Sequence, residues 1–181
     1  MINLTPLRRF LGKVKYGIYQ PETQNKQPSP TVDSIKREWK FLSPDELEQG
    51  RMGLSWDVVN YCQQALRQQQ LESKAYWLTV QDKEHQELLF QPFLLYRDGP
   101  VWRWLEWGLE NYRNNQYSLR QDKQLSQRIA TLIYDELQGH DYQYGEITNW
   151  PAYGTKWNKF TATIRHSVKA SDRRRLSALE G

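Results

Sequence analysis

Residues Ala75 to Trp107 read AYWLTVQDKEHQELLFQPFLLYRDGPVWRWLEW, the stretch densest in apolar residues, and their reading decides the fold. Tyr76, Leu78 and Val80 alternate with Trp77, Thr79 and Gln81. A period of two sends alternate side chains to opposite faces of an extended chain, so the spacing predicts a half-buried strand. Asp82 to Gln86 carries no aliphatic residue and reads as a hairpin loop. Leu88, Leu89, Phe90, Phe93, Leu94 and Leu95 then make a nearly continuous apolar run, as a strand covered on both faces requires. Pro92 inside it cannot donate to a ladder, which places it at an edge or a bulge. Asp98-Gly99 is a tight-turn dipeptide, and Val101 to Trp107 follows as a third strand. Trp102, Leu105, Leu109 and Tyr112 also share one helical face, so a helix competes for that last segment. The expected class is α+β: a small antiparallel β-meander packed by several helices, with a basic N-terminal arm and a basic C-terminal helical region.

Working outward, two helices flank the meander. Leu54, Val58, Tyr61, Cys62, Ala65 and Leu66 form a broad apolar face before it. Leu119, Leu125, Ile129, Leu132, Ile133 and Leu137 form another after it, with Ser118-x-x-Gln121 as the expected cap and Gly139 as the stop. Ser43-Pro44-Asp45-Glu46 reads as a capping box opening a short helix that Gly50 and Gly53 end. Nearer the N-terminus, Thr5-Pro6 signals a helix start, and Leu4, Leu7, Leu11, Val14 and Ile18 repeat at three- and four-residue steps. Arg8, Arg9, Lys13 and Lys15 flank that stripe, so Leu7, Arg8, Arg9, Leu11, Lys13 and Lys15 are the candidate contacts with a partner subunit. Residues 20–31 hold three prolines and no aliphatic or aromatic residue, which reads as a linker. The domain reading is therefore 1–31 as amphipathic arm and linker, and 32–181 as a single globular domain.

Charge is segregated along the chain. Residues 1–30 hold five Lys/Arg against one acid, 31–154 hold 13 against 18, and 155–181 hold seven against two. The net charge of +4 and the high pI thus belong to the two ends. A lone cysteine, Cys62, excludes an intramolecular disulfide and a cysteine zinc cluster within one chain, and its place among core positions makes it a small buried hydrophobe. No apolar run approaches the roughly 20 residues of a membrane span, and the N-terminus lacks a signal-peptide core, so the expected location is cytoplasmic.

Residues 139–154, GHDYQYGEITNWPAYG, read as a long aromatic-rich loop of the kind that carries function. His140, Asp141 and Glu146 are the one clustered acid/base set there, but self-hydrogen-bonding explains them more simply than catalysis. His85, His140 and His166 form no metal-ligand spacing, and no phosphate loop, GxSxG or paired-carboxylate motif occurs. No enzyme, cofactor, metal or small-molecule substrate is implied. Tyr142, Tyr144, Trp150, Tyr153 and Trp157 offer faces for stacking, and Lys156, Lys159, Arg165, Lys169, Arg173, Arg174 and Arg175 offer phosphate contacts, the last three on an expected short helix capped by Asp172. The expectation is a non-catalytic subunit of a nucleoprotein assembly that binds RNA or another single strand through Tyr142, Tyr144 and the basic C-terminal region. The alternative is a protein-protein adaptor docking through its N-terminal stripe.

Overall fold

In the computed structural model, which describes residues 3–82, 88–105, 107, 118–136, 139–166 and 174–176, the meander is the centre of the molecule. β4 (Ser73–Asp82), β5 (Leu88–Asp98) and β6 (Val101–Leu105) run antiparallel, with Ala75 opposite Leu94 and Leu95 opposite Trp104. The third segment is thus a strand. The β5–β6 turn falls one residue later than the dipeptide suggested: Asp98 pairs with Val101, and Gly99 takes the positive φ of 59°. Pro92 faces Trp77 on β4, while the pairing with β6 begins at Leu94 and Leu105, so the proline lies beyond the β6 ladder.

β7 (Ser118–Leu119), β8 (Gly139–Glu146) and β9 (Arg174–Leu176) complete a six-stranded sheet of order β7-β6-β5-β4-β8-β9. Two expectations are corrected here. Residues 139–146 are a strand paired with β4, not part of a loop, because Tyr142 and Tyr144 alternate with Gln143 and Gly145 at the period of a strand. Arg174 and Arg175 stand opposite Tyr144 and Gln143 in β9, not on a helix, because their backbone pairs antiparallel with β8. Lys169 and Arg173 lie outside the described residues, as do the side chains of Tyr142, Arg174 and Arg175.

The pleat of the sheet divides the core in two. Tyr76 and Leu78 of β4, Phe93 and Leu95 of β5, Trp102 and Trp104 of β6 and Tyr144 of β8 pack on one face against Leu125, Ile129 and Ala130. Those last three belong to α5 (Asp122–Glu136), which begins after Ser118–Leu119 has been used as a strand, so the expected cap at Ser118 does not form. Ala75, Trp77, Leu94, Tyr96 and Leu105 pack on the other face with Trp56, Val58, Val59, Cys62 and Leu66 of α4 (Ser55–Gln68). α3 (Pro44–Gly50) carries the full capping box at Ser43 and Glu46. It ends on Arg51 in the left-handed region (φ 48°), while Gly50 serves packing: a Cβ there would lie 2.3 Å from the Tyr19 ring.

The N-terminal expectation is corrected as well. α1 (Thr5–Leu11) begins one residue early, with the Asn3 side chain accepting the Thr5 N–H at 3.1 Å, and it stops at Gly12. The chain then extends as β1 (Lys15–Gln20), where Tyr16, Ile18 and Tyr19 favour a strand. β2 (Asn25–Pro28), inside the supposed linker, pairs antiparallel with β1, and β3 (Met52–Gly53) pairs parallel on its other side. The linker's backbone is used in this ladder although its side chains are polar and mostly exposed, which is why composition concealed it. Leu4, Leu7, Leu11, Val14 and Ile18 share the α4-side core with Trp39 and Phe41, so residues 1–31 are not a detached arm. Leu7 and Leu11 are 5% and 7% exposed, and partner anchors they are not. Burial of these side chains predicts that Leu7→Ala and Leu11→Ala each lower unfolding free energy by about 2–5 kcal/mol. Urea titration checks this; a change below about 0.5 kcal/mol for both contradicts it.

Candidate nucleic-acid interface

Of the expected phosphate-binding residues that the structure describes, Lys156, Lys159 and Arg165 lie together at one helix, whereas Arg174 and Arg175 belong to β9. α6 (Trp157–His166) carries Lys159 and Arg165 with Lys156 immediately before it, and residues 155–166 hold no acid. This helix packs against α2 (Val32–Glu38) and the residues that follow it. Trp39 is the anchor: its ring lies 5.5 Å from Trp157 and 5.0 Å from Phe160, both edge-on. Lys40 and Lys156 face each other in a β-bridge, and the Phe41 N–H donates to the Thr155 carbonyl at 3.0 Å. Residues 31–41 and 155–166 thereby join in one surface with six Lys/Arg against two acids. Arg37 pairs with Glu38 and Lys40 with Glu22, while Lys36, Lys156 and Lys159 are exposed and have no ion pair among the described residues.

The aromatic candidates separate by burial. Tyr144 is 3% exposed, ring to ring with Tyr76 at 6.5 Å, and is a core residue, which removes it as a stacking platform. Trp150 stacks on Phe41 at 5.6 Å and donates its indole N–H to Gln63 Oε1 at 2.7 Å. Trp157 is half-buried against Trp39. Tyr153 differs: it is 45% exposed, its ring leans on Phe41 at 5.3 Å, and its hydroxyl joins Asn60 and Gln64 of α4. A tyrosine held at its hydroxyl and on one ring neighbour is pre-ordered for a second ring to stack upon. Lys36 was overlooked in the sequence because α2 gives no apolar run long enough to fix its orientation before Trp39 is seated.

Asp57 holds this surface from beneath. Its carboxylate is fully buried and accepts the Trp39 indole N–H (2.9 Å), the Leu42 N–H (2.8 Å) and the Leu54 N–H (2.8 Å). Burial raises its pKa to about 7, with the three donors pulling the other way and Glu46 adding to the rise. A Cβ on Gly53 would lie 3.1 Å from this side chain, so the glycine leaves it room. Cys62, further along α4, is buried and its thiol pKa is pushed up by burial, as suits an inert core residue.

A second polar cluster fastens α5 to the sheet. Lys74 donates to Asp122 Oδ2 at 2.7 Å, the Tyr76 hydroxyl donates to the same oxygen at 3.4 Å, and the ammonium stands 5.4 Å from the Trp102 ring centroid. Burial is the largest influence on Asp122 and raises its pKa, but the hydrogen bond and charge of Lys74 and the N–H groups of Lys123 and Asp122 together outweigh it and hold the carboxyl below the usual carboxylate range. Among the described residues no three His, Cys, Asp or Glu stand close enough to hold a metal ion, and no helix is long and apolar enough to cross a membrane. No family model, curated protein or solved structure matches the chain.

The Asp57 environment gives a signed prediction. Its folded pKa lies above the unfolded value, so its contribution is fully present below about pH 4 and is lost as pH rises toward about 7. The slope is up to about 1.4 kcal/mol per pH unit. Urea unfolding from pH 4 to 7 shows stability falling with pH relative to Asp57→Asn, in which this slope is absent; parallel curves for the two proteins contradict the prediction.

Proposed function

We propose that this chain is a non-catalytic, cytoplasmic nucleic-acid-binding subunit whose binding face is the surface shared by α2 and α6. The observation that carries the reading is the packing of α2 on α6, which joins Lys36, Lys156 and Lys159, all exposed and without an ion pair among the described residues, to a segment that also bears the exposed Tyr153 three residues before Lys156. Single strands are held in this way, with phosphates on the cations and an unpaired base on the ring. A duplex keeps its bases stacked and gives the tyrosine nothing to take, so the favoured ligand is single-stranded, RNA included. The adaptor reading required an exposed N-terminal stripe, and the burial of Leu7 and Leu11 takes away its anchors.

Two measurements check this. In fluorescence anisotropy with a labelled single-stranded oligonucleotide, log affinity falls linearly with log salt, with a slope of about −0.7 per phosphate contact. The variant Lys36→Gln/Lys156→Gln/Lys159→Gln binds at least tenfold more weakly, about 1.4 kcal/mol, with its Tm unchanged within about 2 °C. Salt-independent binding, or full affinity in this variant, contradicts the proposal.

A further inference from the structure

We infer that Glu22 is a built-in competitor for phosphate at the α2–α6 surface: it occupies Lys40, a further cation of that face, until a single-stranded nucleic acid displaces it. The inference rests on the nucleic-acid reading and adds the regulation of that site. Lys40 and Lys156 stand opposite each other in an antiparallel β-bridge. Residues paired in this way project their side chains to one face, with Cβ atoms about 4.5–5.5 Å apart, and like charges directly opposite are destabilising. An anion beside the two ammonium groups relieves that repulsion. The chain supplies one itself: Glu22 Oε1 lies 2.5 Å from the Lys40 ammonium, and the two side chains are 60% and 41% exposed, open to exchange. Lys156 is exposed and has no ion pair among the described residues, so the pair of lysines is only half neutralised.

The fold delivers Glu22 to this position. It is the one acid of residues 1–30, where Arg8, Arg9, Lys13, Lys15 and Lys26 are all nearer to it in sequence than Lys40. Gln20 and Asn25 close the β1–β2 ladder, which leaves residues 21–24 as its turn. Pro21 fixes its own φ just ahead of Glu22, Gln24 takes a left-handed φ of 53°, and the Thr23 N–H donates to the Gln20 carbonyl at 3.3 Å. The carboxylate is thus presented by an ordered hairpin tip. Its hold on Lys40 is weak, because water and salt screen an exposed ion pair and two long side chains lose freedom to form it. A strand already on Lys36, Lys156 and Lys159 brings its next phosphate to Lys40 as an intramolecular step, at high effective concentration, and displaces a carboxylate held this loosely.

The test uses the full chain and a labelled single-stranded oligouridylate, with affinity and its salt dependence read by fluorescence anisotropy. Glu22→Gln binds about two- to fivefold more tightly than wild type, the scale on which an exposed ion pair resists displacement. Its log–log salt slope is steeper by about 0.7, one added phosphate contact. Glu22→Gln/Lys40→Gln binds no more tightly than wild type, since the gain is made through Lys40. Glu72→Gln removes the same charge from an exposed acid paired with Arg97 and leaves affinity and slope unchanged. All three variants keep the wild-type Tm. Equal affinity and slope for Glu22→Gln and wild type, with binding still weakened in Lys36→Gln/Lys156→Gln/Lys159→Gln, overturns the competitor and leaves the proposed function standing. A gain that survives the loss of Lys40, or that Glu72→Gln reproduces, assigns the effect to net charge and overturns the competitor as well. Binding by Glu22→Gln but not by wild type supports it in its strongest form. No binding by either protein overturns the proposed function and this inference together.

Discussion

The carboxylate of Asp57 accepts three N–H groups from separate parts of the chain, and the placement of every element near the candidate interface follows from it. Leu54 opens α4, Leu42 leads into α3, and Trp39 closes α2. A hydrogen bond is worth about 0.5–1.5 kcal/mol, whereas a buried donor that loses its acceptor costs about 1–3 kcal/mol. Removing this side chain therefore harms three segments together. The Trp39 ring, once fixed at its nitrogen, offers its edge and face to Trp157 and Phe160, and α6 is seated on it. The lysines at the surface are thus positioned by a carboxylate in the core.

Aromatic rings do much of the work that aliphatic side chains do elsewhere. The chain is 38% hydrophobic but has eight tryptophans, and Trp39, Trp56 and Trp77 are among its largest fully buried side chains. Phe41, Trp56, Trp150, Tyr153 and Phe160 meet in a continuous set of ring contacts that joins α4, the segment before α6, and α6 itself. Each such pair is worth about 0.5–1.5 kcal/mol beyond the area it buries. Indole nitrogens also need partners, and Gln63 meets that of Trp150 while Asp57 meets that of Trp39. Buried polar residues on α4 are therefore the complement of a tryptophan-rich core.

Elements whose own side chains alternate or repeat were legible in the sequence. The meander shows at Tyr76, Leu78 and Val80, α4 at Val58, Cys62 and Leu66, and α3 in the Ser43–Glu46 box. What was hidden depends on partners far along the chain. β2 has no apolar residue to announce it, because its pairing with β1 is made by the backbone. β8 was concealed by its glycines and polar residues, although the Tyr142–Tyr144 spacing held the signal. The N-terminal stripe looked like an exposed anchor because a helix face cannot say whether its own domain or another protein covers it. For the site, Lys156, Lys159 and Tyr153 could be read, whereas Lys36 is brought in by the packing of α2 on α6 and carries no local mark.

Photo-crosslinking of the intact protein to a thiouridine-containing single-stranded RNA, followed by peptide mapping, tests the central claim most directly, since it locates the contact without altering the chain. The account predicts adducts at Tyr153 and within residues 156–159, suppressed by added salt. Adducts confined to residues remote from Tyr153, Lys36 and α6, or none at low salt, would contradict it.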